Sequence, residues 1–161
     1  MSGAEKADST APETTAVDRG RPPPRWLLKA LTRLNVWVYR ASGGRLMSTL
    51  EGDPICLVTM TGAKSGKLRT IPLMYVPDGD SVLLVASQGG APTHPTWYYN
   101  LMAHPDITVE QGGQVRRLKA RRVSAEEKAR LWPICVSHYT PYEQYQQRTE
   151  RDIPVFRCEP I

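Results

Sequence analysis

Between residues 55 and 158 the chain alternates short runs of β-branched and aliphatic residues with turns made of glycine, proline, serine and aspartate. Such runs read as strands, because a pleated surface accommodates branched side chains and the turn residues supply the backbone angles that reverse the chain. The first runs cover 55–61, 68–76 and 81–86, the last two joined by Pro77-Asp78-Gly79-Asp80. In sequence they predict an antiparallel meander. Runs at 107–110 and 115–123 face each other across Gly112-Gly113 as a second hairpin, and a final run covers 153–158. Five or six strands with helices inserted between hairpins predict an α+β domain on a small antiparallel barrel.

Four segments carry helical signals. Leu27, Leu31, Leu34 and Val38 share one stripe, widened by Trp26, Ala30 and Trp37, with Lys29, Arg33 and Arg40 on the opposite arc, and Ser42-Gly43-Gly44 ends the pattern. A short helix is expected over 94–103, closed by His104-Pro105. Ser124-Ala125-Glu126-Glu127 is a capping box, with the serine hydroxyl capping the helix start and Glu127 reaching back, and it opens a helix through Trp132 to about Tyr139. Thr140-Pro141-Tyr142-Glu143 repeats the signature before a short helix to Arg148. Residues 1–24, rich in alanine, threonine, serine, proline and charge, bury too little to repay the entropy of ordering. The expected division is a disordered tail over 1–24, an amphipathic helix over 25–44 and a barrel unit over 45–161.

With 161 residues one hydrophobic core is expected. A composition 40% hydrophobic and 23% charged excludes collagen-like, fully disordered and disulfide-scaffold chains. Cys56, Cys135 and Cys158 form no C-x-x-C, so they are expected as reduced, buried thiols. No apolar stretch reaches the roughly 20 residues of a membrane span, and no signal sequence opens the chain, so a cytoplasmic location is expected. The net charge is +5, and in the first 25 residues Lys6, Arg19, Arg21 and Arg25 balance Glu5, Asp8, Glu13 and Asp18. The excess therefore belongs to the folded part, where it favours an anionic ligand, an anionic membrane surface or nucleic acid.

Chemistry concentrates in three places. Thr61-Gly62-Ala63-Lys64-Ser65-Gly66-Lys67-Leu68-Arg69-Thr70 joins two strands, and its glycines and cations suit a phosphate or carboxylate as well as they suit a solvated turn. It is not a P-loop, because three residues separate Gly62 from Gly66 and Leu68 follows Lys67. Ser87-Gln88-Gly89-Gly90 lets backbone approach a ligand, and Trp97 and Asn100 stand one helical turn apart beyond it. Tyr139, Tyr142 and Tyr145 recur every third residue, each an apolar ring with a hydroxyl donor, a spacing that helix-face packing explains as well as a bound oxygen does. His94, His104 and His138 lack the spacing of a metal pair, so no metal is expected, and no Ser-His-Asp set assembles.

With these residues in view, the chain resembles the deazaflavin-dependent nitroreductase family, split-barrel proteins of actinobacteria that bind reduced coenzyme F420. The likeness runs from about Leu34 to Pro160 and is carried by Leu34-Asn35-Val36-Trp37-Val38-Tyr39-Arg40, Thr61 through Gly66 with Arg69 and Pro72-Leu73, Ala86-Ser87-Gln88-Gly89-Gly90, Pro95-Thr96-Trp97-Tyr98-Tyr99-Asn100-Leu101, Trp132-Pro133 and Ile153-Pro154 near Cys158-Glu159-Pro160. The resemblance implies an antiparallel split β-barrel of the FMN-binding type. It implies that Lys64, Ser65, Gly66 and Arg69 hold the acidic cofactor tail. Pro72, Ser87, Gln88 and Gly89 would edge the deazaflavin ring with Trp97 and Asn100 beside it, and Tyr139, Tyr142 and Tyr145 would face the acceptor as the catalytic group. Three positions depart from the family pattern: Ala63 stands where arginine is usual, Gln88 replaces a common lysine, and Met74 takes the place of a tyrosine. Lys64 and Arg69 remain for the tail.

The implied activity is hydride delivery from reduced F420 to a quinone-like or nitroaromatic acceptor, the cofactor supplying the chemistry and the protein the positioning. A non-catalytic F420 carrier, or an FMN-dependent oxidase of the same superfamily, would use the same residues. Nucleic acid is not an expected partner, since no binding motif accompanies the basic run Arg116 to Arg122. Residues 26–40 are a candidate for peripheral contact with the inner face of the cell membrane, the alternative being that their stripe packs over the barrel.

Overall fold

The computed structural model describes residues 24–46, 48–50 and 52–161. All but Pro24 of the expected N-terminal tail lies outside the described residues. Helix α1 (Arg25–Ala41) is followed by β1 (Thr49–Leu50), β2 (Asp53–Thr61), β3 (Leu68–Met74), β4 (Val76–Asp78) and β5 (Ser81–Val85). A 3-10 turn (Gln88–Gly90) leads to α2 (Thr96–Ala103), the hairpin β6 (Asp106–Gln111) and β7 (Gln114–Arg122), then α3 (Ala125–His138), α4 (Pro141–Gln147) and β8 (Val155–Pro160). The order is β1-β2-β6-β7-β8-β5-β4, with β3 also on β2, and every pairing is antiparallel.

The expected meander is broken at Tyr75. Residues 68–74 pair with β2 and 76–78 pair with β5, while β5 continues onto β8. The Tyr75 N–H still bonds to the Pro54 carbonyl at 2.9 Å in the β2–β3 register, but Pro54 has no N–H to return the bond and the ladder ends there. One bent strand thus serves both ends of the sheet and brings them together as a split barrel. The hairpin across Gly112-Gly113 forms as expected, with Gln111 opposite Gln114.

Two cores result. Val58, Met60, Val82, Leu84, Leu118 and Phe156 fill the barrel, closed by Trp97 and Leu101 of α2. Leu83, Val85 and Val155 face the other way, against Leu131, Cys135, Tyr139 and Tyr142 of the α3–α4 layer. Strand β5 is therefore buried on both faces, which is why it reads as an unbroken apolar run. All three cysteines are buried and free, and burial pushes the Cys56 and Cys135 thiols up to about 12.

The helix starts differ from their signatures. Ser124 Oγ accepts from the Glu127 N–H at 3.1 Å, but the Glu127 carboxylate takes the Arg121 guanidinium at 2.8 and 3.0 Å instead of reaching back. A charged fork on the adjacent strand outcompetes a backbone N–H. No capping box forms at Thr140, which is itself helical, and Glu143 accepts from Trp132 Nε1 at 3.2 Å. Helix α2 opens at Thr96 rather than at 94, because the residue before Pro95 is disfavoured in the helical region.

Helix α1 is latched at one end. Arg40 forks onto Glu110 at 3.0 and 3.1 Å, and Tyr39 Oη donates to the Glu110 carbonyl and accepts from the Gly112 N–H. A Cβ on Gly44 would stand 2.8 Å from the Gly113 nitrogen, so only glycine permits this approach. Of the expected stripe Leu27 and Val38 are half-buried, while Leu31 and Leu34 are 46% and 54% exposed and the flanking Trp26 and Trp37 are 69% and 66% exposed. The stripe is therefore covered only in part, and its middle, with both flanking tryptophans, faces solvent.

Candidate active site

A cavity of about 370 Å³ opens on the outer face of β2 and β3. Ile55, Leu57, Pro72, Leu73 and Met74 form its floor, Val85, Ser87 and Gln88 one edge, Pro95 and Trp97 a second, and Tyr139, Tyr142 and Tyr145 the wall given by α3 and α4. Asn35 and Tyr39 of α1, with Thr49 and Leu50 of β1, close the remaining side. Seven residues singled out in the sequence therefore meet in one place: Pro72, Ser87, Gln88, Trp97, Tyr139, Tyr142 and Tyr145.

The three tyrosines form a cluster. Tyr139 and Tyr142 meet edge to face at 5.0 Å, and the Tyr139 and Tyr145 hydroxyls lie 3.2 Å apart. Burial raises the Tyr142 phenol above its ordinary range, with the neighbouring thiol and phenols adding to the shift. Its hydroxyl stays protonated at neutral pH, a form that can donate a hydrogen bond. Tyr39 is different, because its hydroxyl already bridges Glu110 and Gly112. Trp97 packs on Phe156 at 5.9 Å and also lines the cavity.

Lys64, Ser65 and Gly66 lie outside the cavity, at the tip of the β2–β3 hairpin. The Gly62 N–H bonds to the Lys67 carbonyl and the Gly66 N–H to the Gly62 carbonyl, at 2.8 and 3.0 Å, while Ser65 Oγ accepts from the Lys67 N–H. Lys64, Lys67 and Arg69 are exposed, and among the described residues none forms an ion pair. Arg69 leaves β3 opposite Met60, on the face away from Pro72. Asn100 does not face the cavity. Its Oδ1 accepts from the Ala63 N–H at 2.9 Å, so α2 carries Trp97 to the cavity and, one turn on, clamps the hairpin.

Thr61 lies four residues beyond Leu57, about 13 Å along the strand, so hairpin and cavity are two ends of one surface. Between them, on the cavity face, the hydroxyls of Thr59 and Thr70 meet at 2.8 Å. The sequence reading missed this pair, and it missed Asn35 and Tyr39 as cavity residues although both belong to a quoted motif. Gly89 sits on the turn beside the cavity edge, with φ of +64°, and Gln88 before it adopts +44°. Three cations of the basic run on β7 are engaged within the fold: Arg116 donates to the Asp80 carbonyl, Arg121 pairs with Glu127, and Arg122 donates to Tyr98 Oη at 2.7 Å.

Comparison with known proteins agrees with this geometry. The sequence pattern of the F420H(2)-dependent quinone reductase family matches residues 31–160. An F420H(2)-dependent quinone reductase of Mycobacterium tuberculosis H37Rv is 40% identical over 139 residues, covering 81% of this chain and 93% of that protein. The solved structure of an F420-H2 dependent reductase is 47% identical with a TM-score of 0.62, covering 66% of this chain and 94% of its own. A second solved structure, described as a domain-swapped dimer, is 42% identical with a TM-score of 0.64 and covers 78% of this chain and 99% of its own. A split barrel with an aromatic cavity and a cationic hairpin, matched along almost its whole described length, places this chain in the F420H(2)-dependent quinone reductase family.

Proposed function

We propose that the chain reduces quinones with F420H2, binding the cofactor's acidic tail on the Lys64–Arg69 hairpin and its ring in the cavity edged by Pro72, Ser87, Gln88 and Gly89. The residues present fit that cofactor. A flat, largely apolar cavity beside a polar turn suits a deazaflavin ring, and exposed cations without carboxylate partners, about 13 Å further along β2, suit an anionic tail. The single observation that carries the reading is this pairing of cavity and cationic hairpin on one strand pair. When bound, the reduced cofactor supplies the hydride. The chain supplies the rest: Leu57 and Pro72 floor the ring site, Trp97 excludes water, and the hydroxyls of Tyr142 and Tyr145 hydrogen-bond an acceptor oxygen and stabilise its developing charge. In this reading Tyr139, Tyr142 and Tyr145 form the acceptor wall, residues 45–161 the cofactor-binding unit, and 25–44 its amphipathic arm. With Met74 in the floor, acceptor range follows this chain's own cavity shape. Nitroaromatics are expected as secondary acceptors.

Titration with oxidised F420 and with FMN, read by fluorescence, tests the cofactor, F420 binding being expected and preferential FMN binding pointing to an oxidase. Tyr142→Phe and Tyr145→Phe should lower quinone turnover more than F420 affinity. Bound F420 without quinone turnover in the wild type would identify a carrier.

The exposed apolar residues of α1 favour a second element of function, docking of this arm on an anionic lipid surface where quinones dissolve. Trp26, Leu31, Leu34 and Trp37 would enter the interface and Lys29 and Arg33 meet the headgroups. Among the described residues no helix is long and apolar enough to cross a membrane. Cosedimentation of the full chain with vesicles containing anionic lipid should fall sharply in a Trp26→Ser/Trp37→Ser variant that keeps its turnover of a water-soluble quinone. Equal sedimentation of the two proteins would remove this element.

A further inference from the structure

The polar edge of the cavity is a turn built on left-handed backbone. Gln88, Gly89 and Gly90 follow one another with φ of +44°, +64° and +79°, and Gln88 is the non-glycine residue in that region among the described residues. Two bonds lie within the turn, from the Gly90 N–H to the Ser87 carbonyl and from the Ala91 N–H to the Gln88 carbonyl. The Gln88 side chain donates to Thr93 Oγ1 at 3.3 Å and α4 packs against Gly90, while the carbonyls at and beside the turn are held by one side chain far away in sequence. Arg151, in the loop between α4 and β8, donates through Nη2 to the Ser87 carbonyl at 2.9 Å, through Nη1 to the Ala86 carbonyl at 3.1 Å, and through Nε to the Ala91 carbonyl at 3.1 Å. Its Nη1 also meets His94 Nδ1 at 2.9 Å, so that ring nitrogen is the acceptor and the imidazole is neutral.

We propose that Arg151 is a positioning residue for the reaction: its planar fork fixes the Ser87–Gly90 turn from behind and so sets where that turn presents its backbone to the ring site. The inference rests on the reading of this turn as the edge of the cofactor ring. A guanidinium is suited to the task because three separate nitrogens, spread in one plane, each reach a different carbonyl, whereas an ammonium presents its donors from a single atom. Among the described residues no carboxylate pairs with Arg151, so its donors are directed at the turn. The same loop ties the turn to the acceptor wall, since the Arg151 carbonyl accepts from Gln146 of α4, the residue after Tyr145. Behind His94 stand Tyr98, stacked at 4.1 Å, and Arg122, bonded to the Tyr98 hydroxyl.

The test separates orientation from affinity. In Arg151→Ala, kcat for quinone reduction at saturating F420H2 should fall about 10- to 100-fold, as expected when reacting groups are misplaced by about an ångström. F420 affinity read by fluorescence should stay within about twofold, because Lys64 and Arg69 are untouched. Ethylguanidinium at millimolar concentration should restore part of kcat, and Arg151→Lys should be as slow as the alanine variant. Wild-type kcat in either variant, or equal losses in kcat and affinity, overturns the inference. Should Arg151→Ala fail to fold, Arg151→Lys decides by the same two readouts. Gly89→Val, which distorts the turn directly, distinguishes the two levels. If it leaves kcat intact, the turn is not at the ring and the site reading falls with the inference. If it abolishes turnover while Arg151→Ala does not, only the role of Arg151 falls.

Discussion

Two glycine-bearing turns flank the cavity, and they are built in opposite ways. The hairpin at 62–67 carries its own cations, stands exposed and is clamped at one point, Asn100 on Ala63. The turn at 87–90 carries no charge, adopts left-handed backbone and is gripped by Arg151 on one side and by α4 on the other. The difference follows from what each must do. A charge acting on an acidic tail works through long side chains that can find their partner, so the backbone beneath needs little fixing. An edge that sets the position of a ring must be fixed before the ring arrives, and strained backbone persists only where its surroundings over-determine it.

The largest effect should come from breaking the second turn. A Cβ on Gly90 would stand 2.6 Å from the Tyr145 carbonyl oxygen and 3.1 Å from its Cα, at a φ of +79°. Gly90→Ala should therefore destabilise the fold by about 2–4 kcal/mol and disturb Tyr145 with it. Urea unfolding measures the first, and quinone turnover under conditions where the variant is folded measures the second. A loss below about 1 kcal/mol would show that α4 yields easily and that the two turns are less unlike than they look.

Next in size is the hairpin. Lys64→Ala and Arg69→Ala should each weaken F420 binding by about 1.5–3 kcal/mol while leaving stability unchanged, because a charge-assisted contact is lost and no internal partner is abandoned. The wild-type affinity should fall with salt and the double variant's should fall less. Salt-independent binding in the wild type would move the tail elsewhere. Smaller again is Asn100→Ala, which frees the Ala63 N–H. We expect about 1 kcal/mol of lost F420 affinity with the cations still present, measured by the same titration. An unchanged affinity would mean that the hairpin holds its shape without the clamp, and would sharpen the contrast with the Arg151-dependent turn.

Most of the strand pattern was legible in the sequence because it is local: branched and aliphatic runs, and the Gly112-Gly113 reversal. The gathering of Pro72, Ser87, Gln88 and Trp97 with three tyrosines was legible only through the family likeness, since those residues lie on five separate segments. What stayed hidden was non-local or shared. The break at Tyr75 depends on its pairing with Pro54, which has no N–H to carry the ladder further. Asn35 and Tyr39 were submerged in a helical stripe whose most regular apolar positions turn out to face solvent, while its polar pair faces the cavity. Arg151 has no local signature, because its partners are carbonyls and a ring 57 to 65 residues away in the chain. Glu127 and Glu143 mimic capping boxes but are drawn to side chains that the pattern does not display.

The smallest expected effect is a pH dependence that reaches one turn and not the other. Burial lowers the His94 pKa below its ordinary 6.5, and the charges of Arg151 and Arg122 lower it further. In the unfolded chain the ring titrates near 6.5, so above that value both states are neutral and His94 contributes no slope. As pH falls below 6.5 the unfolded state takes up the proton first, stability declines, and the decline levels off once pH passes the lowered folded value. Protonation in the native state also converts Nδ1 from acceptor to donor, which sets it against Arg151 Nη1 and loosens the grip on Ser87. Wild type should therefore lose urea midpoint and kcat between pH 7 and pH 5, beyond what His94→Phe loses, a variant that keeps a ring against Tyr98 and cannot titrate. F420 affinity should not share the His94-dependent part of that decline, because the hairpin cations do not contact His94. If affinity and kcat fell together in wild type and remained level in His94→Phe, the two turns would be coupled through α2, which carries Tyr98 under the imidazole and Asn100 under the hairpin.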